Sequence, residues 1–212
     1  MTLQRTIDIG IAAAGLLLAS PLLLAIAMLI RAEDGGPVLF TQTRVGTARR
    51  PFRIYKFRTM RDGQQTRVGR WLRQTGLDEL PQLANVLRGD MRVIGPRPLT
   101  FDDVERLGWC SDAHALRWSV PPGLIGLAQL YAGRGKRLSW VLDVSYVQER
   151  RLSLDAGIVA ATAVIGVVGK RRVRRWLRAR RRGRLVASLN ARAPARRPAL
   201  IDGVHARLAS PR

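Results

Sequence analysis

The stretch IGIAAAGLLLASPLLLAIAMLI, residues 9–30, runs 22 positions without a charge. At 1.5 Å per residue, a helix of that length reaches roughly 33 Å, enough for a bilayer core, so it reads as a membrane segment. A cleaved signal peptide is the rival reading, because Ala25-Ile26-Ala27 has the small-x-small form of a cleavage site. Against it, only Arg5 precedes the run, Asp8 cancels that charge, and the run is long for a signal. Ser20-Pro21 divides the run. Pro21 has no N–H for the carbonyl of Leu17 and its ring crowds that oxygen, so a kink or break is expected there. Each half, about 12 residues or about 18 Å, is too short to cross alone, so a re-entrant hairpin and a kinked spanning helix both fit. Arg31, Arg44, Arg49, Arg50 and Arg53 follow the run, which puts its C-terminal side on the cytoplasmic face.

Outward from this segment, Gly35-Gly36-Pro37 ends the run. VLFTQ (38–42) and FRIYKF (52–57) then read as two strands around a turn at 46–50. Helix signals cover 68–87 and roughly 100–118, and Pro121-Pro122-Gly123 reads as a turn. Residues 156–169 are apolar but only 14 long, which favours an interfacial or core helix over a second crossing. From Lys170 to Arg184 ten of fifteen residues are Lys or Arg, with Val173, Trp176 and Leu177 on one face, the pattern of a basic helix on a membrane surface. From about Asn190 the composition favours disorder. The expected class is α+β, mostly helical. A membrane helix at 1–34, broken at Ser20-Pro21, precedes a small cytoplasmic domain at 35–169 with a short β-hairpin and interfacial amphipathic helices, and a basic tail fills 170–212.

The 212 residues include 37 Lys and Arg against 15 Asp and Glu, a net charge of +22, with one Cys and 47% apolar residues. A lone Cys110 excludes a disulfide scaffold, and the apolar fraction excludes a low-complexity chain. The charge calls for an anionic partner: nucleic acid, anionic lipid or a phosphorylated substrate. Residues 170–212 hold fifteen Lys and Arg and one acid, Asp202, so +14 of the excess lies in the tail, where anionic lipid is the best match. Aromatic residues are 6% and no recognition helix or stacking motif is present, so no nucleic-acid partner is expected.

No phosphate loop, GxSxG elbow or Cys/His cluster is present. The chemistry-bearing residues are concentrated in KFRTM (56–60), RVGRWLRQTGLDELPQL (67–83) and GDMRVIGPRPL (89–99). In LDELPQL, Pro81 suits only the first turn of a helix, which puts Asp78 and Glu79 at a helix N-terminus, with Asp78 the candidate cap. Free N–H groups there bind phosphoryl oxygens, and two adjacent carboxylates can hold Mg²⁺. Lys56, Arg58, Arg73 and Arg97 could converge on the same phosphate-bearing ligand. Taken singly, the acids also read as plain caps and the arginines as a solvated face.

In combination these segments resemble the bacterial sugar transferases, the monotopic polyprenol-phosphate phosphoglycosyl transferases of the small, single-domain type. The similarity runs from about Arg5 to Gly169 and includes RTID with the Ser20-Pro21 run, GGPVLFTQTRVG (35–46), PFRIYKFRTM (51–60), TRVGRWLRQTGLDELPQLANVLRGDMRVIGPRPL (66–99), PPGLIGLAQL (121–130) and LDVSYV (142–147). The resemblance implies transfer of a sugar 1-phosphate from a nucleotide sugar, a UDP-sugar, to undecaprenyl phosphate, with release of nucleoside monophosphate. By the same match Asp78 is the nucleophile that forms an aspartyl phosphosugar, and Glu79, with Asp78, is the Mg²⁺ position. Lys56, Arg58, Arg73 and Arg97 contact phosphates, and Pro96-Arg97-Pro98 shapes the nucleotide side. The resemblance also implies a re-entrant helix on the cytoplasmic face of the bacterial inner membrane and a place at the first membrane step of polysaccharide or glycoconjugate assembly; it leaves homo-oligomerisation open. The chain departs from the family pattern in a short RDGQQ connection (61–65), a shortened segment after Trp140, Ile125 for Thr and Gly76 for Ser. A membrane-tethered nucleic-acid-binding protein and a non-catalytic scaffold are the competing functions.

Overall fold

The computed structural model describes residues 2–130 and 136–168. Helix α1 (Leu3–Asp34) starts at Thr2, whose side chain accepts from the Arg5 N–H, and stops at Gly35 in the left-handed conformation. The interruption expected at Ser20-Pro21 does not end the helical run. The Ser20 hydroxyl donates to the Leu17 carbonyl at 2.8 Å, serving the acceptor that Pro21 leaves without an N–H.

The course of α1 is set by what its two ends touch. Near the N-terminus, Asp8 is buried. It accepts from Arg92 Nε at 2.8 Å and from the Val93 N–H at 3.3 Å, while the Arg5 guanidinium donates to the carbonyls of Val86 and Leu87. Near the C-terminus, Asp34 pairs with Arg58 and Glu33 accepts from the N–H groups of Arg67 and Val68. Between these anchors Leu17 and Leu18 are 74% and 80% exposed. Both ends of one apolar helix are thus tied to the same polar body, and its middle is bare.

That body is α+β and mostly helical, with the expected hairpin. Strands β1 (Leu39–Val45) and β2 (Pro51–Phe57) pair antiparallel, with Phe40 opposite Lys56, Gln42 opposite Ile54 and Arg44 opposite Phe52. A two-residue pair, β3 (Met60–Arg61) and β4 (Gln64–Gln65), follows. The helix expected over 68–87 is three pieces: α2 (Arg67–Thr75), a 3₁₀ turn (Leu77–Gln82) and α3 (Leu83–Arg88). Gly76, at φ 80°, closes α2 by donating to the Leu72 carbonyl, a conformation that favours glycine, and Pro81 has no N–H to continue an α-helical ladder. The helix expected over 100–118 is likewise divided, into α4 (Phe101–Leu107) and a 3₁₀ stretch (Asp112–Ser119), with Gly108 left-handed after α4.

Strand β5 (Arg92–Ile94) pairs parallel with β6 (Gly123–Ile125), so the expected turn at 121–123 leads directly into a strand. A Cβ on Gly123 would lie 2.0 Å from the Gly95 nitrogen, so only glycine permits this approach. Helices α5 (Leu127–Leu130), α6 (Lys136–Glu149) and α7 (Leu152–Val168) complete the described chain. The main core joins α1, β2, α3, β5, α6 and α7 through Ala12, Ile54, Val86, Met91, Val93, Ile94, Tyr146 and Ile158. Helix α7 begins four residues before the expected apolar stretch and buries Asp155 and Ile158 while leaving Val159 and Val164 exposed. The basic helix expected at 170–184 and the tail to 212 lie outside the described residues.

Removing one partner of a buried ion pair leaves the other charge uncompensated, at a cost of about 3–5 kcal/mol. Asp8→Ala is therefore expected to lower stability by about 3–5 kcal/mol. Arg106→Ala, at an exposed pair with Asp103 on α4, should change it by no more than about 0.5 kcal/mol. Denaturant titration of both variants in one detergent checks this, and equal effects would refute the anchoring role of Asp8.

Candidate active site

Two packing arrangements build the site. Asn85 is fully buried in α3, accepts from the Tyr55 N–H at 3.1 Å and donates to the Arg53 carbonyl at 2.7 Å, so its side chain serves the free edge of β2. This holds the 3₁₀ turn 77–82 beside the strand that bears Lys56. Opposite, the β5–β6 pair continues into Pro96-Arg97-Pro98, where the Pro96 carbonyl accepts from the Gly123 N–H at 2.8 Å.

Between the two lies a narrow cleft, lined by Arg44, Ile54, Lys56, Glu79, Gln82, Arg97, Pro98, Gly123, Leu124 and Gln129. Lys56 Nζ donates to Glu79 Oε1 at 2.6 Å. Asp78, half-buried on the same turn, lies within electrostatic reach of Glu79, Lys56 and Arg73. Burial pushes its carboxyl up and the charge of Glu79 pushes it further, while Lys56, a backbone hydrogen bond and Arg73 oppose them; the net direction is upward. Arg44 is pulled down by burial and by the neighbouring Arg97 charge. Three cations thus line the cleft with one acid, Glu79, which is paired with Lys56, while Arg44 also lies 3.8 Å from Asp103.

The sequence-selected residues separate into two groups. Lys56, Glu79, Arg97 and Pro98 line the cleft, Asp78 adjoins it, and Pro96 is buried in the loop behind it. Arg73 donates to the Thr59 hydroxyl at 2.8 Å on the Asp78 side. Arg58 is placed elsewhere, its guanidinium held by Asp34 at the end of α1. Asp78 is in the first turn as expected, but the cap is Gly76, with no side-chain bond. The sequence reading passed over Arg44, Gln82, Gln129 and Arg117. Arg117 is 2% exposed, lies over the rings of Trp118 and Trp109, pairs with Asp143 at 2.8 Å and donates to the Arg97 carbonyl at 2.7 Å, which fixes the Pro-Arg-Pro loop from behind. Arg44 could have been found from register, because residues 42, 44, 54 and 56 share one face of the β1–β2 hairpin.

Among the described residues no group of three or more His, Cys, Asp and Glu could enclose a metal ion. The adjacent carboxylates of Asp78 and Glu79 do suit Mg²⁺, which takes one or two protein carboxylates and completes its shell with water and phosphate oxygens. The mutual repulsion that raises Asp78 is also what a cation would relieve.

The bacterial sugar transferase family profile matches residues 1–169, and the chain belongs to that family. It is 37% identical over 191 residues to the UDP-glucose:undecaprenyl-phosphate glucose-1-phosphate transferase of Escherichia coli (strain K12), covering 79% of this chain and 41% of that protein. It is 40% identical over 179 residues to the UDP-N-acetylgalactosamine-undecaprenyl-phosphate N-acetylgalactosaminephosphotransferase of Aeromonas hydrophila, covering 76% of this chain and 42% of that protein. It is 35% identical over 195 residues to the exopolysaccharide production protein PSS of Rhizobium leguminosarum bv. phaseoli, covering 77% of this chain and 94% of that protein. The chain therefore spans about two-fifths of the first two proteins and nearly all of the third.

A carboxyl raised in the folded state binds a proton more readily there than when unfolded. Asp78 thus favours folding at pH values below the unfolded carboxyl value of about 3.9, and loses that contribution as pH rises through its own higher value. At neutral pH its charge is a net cost. Asp78→Asn is expected to leave the neutral-pH unfolding temperature unchanged or raised, with the advantage shrinking on acidification. A fall at neutral pH in thermal scans would contradict this.

Proposed function

We propose that this chain is a phosphoglycosyl transferase that moves a sugar 1-phosphate from a UDP-sugar to undecaprenyl phosphate, releasing UMP. The observation that carries the reading is the cleft itself: Arg44, Lys56 and Arg97 line it with one carboxylate, Glu79, which is paired with Lys56, and Lys56 and Glu79 also act on the nucleophile candidate Asp78. With Lys56 paired to Glu79 and Arg44 3.8 Å from Asp103, Arg97 leaves the cleft a cation in excess, which suits a phosphate-bearing ligand. The names of the E. coli and Aeromonas relatives share UDP and undecaprenyl phosphate and differ in the sugar, which supports the donor nucleotide and acceptor assigned here.

In this reading Asp78 carries out covalent catalysis. Its carboxylate, ionised at neutral pH without a partner base, forms a P–O bond to the sugar-bearing phosphorus as the bond to UMP breaks. An oxygen of the lipid phosphate then bonds to the same phosphorus, and Asp78 leaves with its electron pair. Arg44, Lys56 and Arg97 hold the phosphoryl oxygens and stabilise charge on the departing UMP, where most of the catalysis of such transfers lies. Arg73, on the Asp78 side, lowers the cost of its negative charge. Mg²⁺ held by Glu79 with Asp78 would add neutralisation of the diphosphate.

The lipid acceptor fits the placement of α1. A helix anchored to one body at both ends, with exposed leucines at its middle, supports insertion into one leaflet from the cytoplasmic face of the bacterial inner membrane. The basic residues beyond Gly169, each contributing about 1 kcal/mol near an anionic leaflet, would hold the domain at the headgroups. The product would enter polysaccharide or glycoconjugate assembly at its first membrane step, in line with the Rhizobium relative's name.

The test is UMP release by the full chain in detergent with a UDP-sugar panel, undecaprenyl phosphate and Mg²⁺. Turnover is expected with at least one donor, is lost on chelation and restored by Mg²⁺, and falls by about 10³-fold or more in Asp78→Asn. Full activity of that variant, or folded protein inert to every donor, would overturn the reading.

A further inference from the structure

Two amide side chains in the cleft have no part in the mechanism above. Gln82, the last residue of the 3₁₀ turn, is 2% exposed, and its Nε2 has no acceptor among the described residues. Gln129, in α5, buries its Oε1 with no donor among the described residues. Both line the cleft. Buried polar groups are rarely left unmatched, because the desolvation cost is then uncompensated, so two cleft-lining amides with unpartnered polar atoms point to a ligand group that serves them.

A phosphoryl oxygen only accepts. It would satisfy Gln82 and leave Gln129 matched only if that amide turned over, and the oxyanions already have Arg44, Lys56 and Arg97. An apolar group would satisfy neither amide. A hydroxyl both donates and accepts. Position agrees with this: Gln82 lies three and four residues beyond Glu79 and Asp78 on the same turn, and Ile54 and Leu124 give the cleft apolar surface for a sugar's C–H face.

We propose that Gln82 and Gln129 form a hydroxyl-recognition subsite for the donor, with Gln82 Nε2 donating to the hydroxyl oxygen and Gln129 Oε1 accepting its hydrogen. The subsite rests on the reading of the cleft as a sugar-nucleotide site, and deepens it by naming the neutral groups that read the donor's hydroxyls. The hydroxyl comes from the transferred sugar or from the ribose, and the two sources separate experimentally.

The experiment uses the full chain in detergent with undecaprenyl phosphate, the UDP-sugar that gives turnover, its monodeoxy-sugar analogues, and UDP as a sugar-free inhibitor. Gln82→Met and Gln129→Met keep the length of the side chain and remove its polar atoms. Each is expected to lower kcat/KM for the full donor about tenfold, the effect of one lost hydrogen bond, without lowering the unfolding temperature. Each should also abolish discrimination against one deoxy analogue. If the hydroxyl belongs to the sugar, inhibition by UDP stays unchanged in the variants; if it belongs to the ribose, inhibition by UDP weakens alongside turnover and 2′-deoxy-UDP loses its disadvantage. Unchanged kcat/KM and discrimination in both variants, with Asp78→Asn inactive, would overturn the subsite and leave the transferase reading standing. A lowered unfolding temperature with discrimination intact would mark the amides as packing groups and also overturn it. An active Asp78→Asn would instead remove the transferase reading and this inference with it.

Discussion

Two ion pairs, Asp8 with Arg92 and Asp34 with Arg58, join opposite ends of an apolar 32-residue helix to one polar domain. Each buries a charge that would be expensive alone, so the helix ends cannot leave the domain without stranding a guanidinium. The rest of the arrangement depends on this constraint. The Asp8 anchor fixes β5, whose continuation is the Pro-Arg-Pro loop, and the Asp34 anchor takes Arg58 from the end of β2 and leaves Lys56 to face Glu79. The exposed leucines at the middle of α1 are carried at a fixed offset from the cleft, an arrangement that suits the lipid-phosphate acceptor proposed above.

Within the cleft, charges are arranged in tension. Asp78 and Glu79 are neighbours that repel, and Arg44 and Arg97 repel across the gap. Each repulsion costs stability and would be relieved by a ligand of opposite sign: a cation at the acids, a diphosphate at the bases. Strain of this kind at a site, beside well-satisfied pairs such as Arg117 with Asp143 behind it, separates the parts that bind from the parts that hold them in place.

Much of this was legible in the sequence. The uncharged run announced α1, the alternation in 38–57 announced the hairpin, and LDELPQL placed Asp78 and Glu79 in a first turn. The failures have physical causes. Of the kink or break expected at Pro21, the break does not occur: the missing N–H is visible in the sequence, whereas the Ser20 hydroxyl that serves Leu17 is a matter of rotamer. The helix signals over 68–87 resolve into separate pieces because Gly76, which periodicity tolerates, takes a left-handed φ of 80° and ends α2. Arg58, expected at the phosphates, is held by Asp34, 24 positions away in sequence, and strand register brings Arg44, for which no site role was expected, into the cleft instead. Arg117 and the two glutamines act through burial, which a polar residue in isolation does not signal.

The central claim is that Asp78 becomes covalently bonded to the sugar phosphate. Intact-protein and peptide mass spectrometry of the full chain, mixed with Mg²⁺ and its UDP-sugar in the absence of lipid acceptor, measures this directly. The account predicts a mass gain equal to one sugar phosphate, on the peptide containing Asp78, discharged when undecaprenyl phosphate is added and absent in Asp78→Asn. Acceptor-dependent UMP release with no adduct at any time, or an adduct that persists in Asp78→Asn, would contradict it.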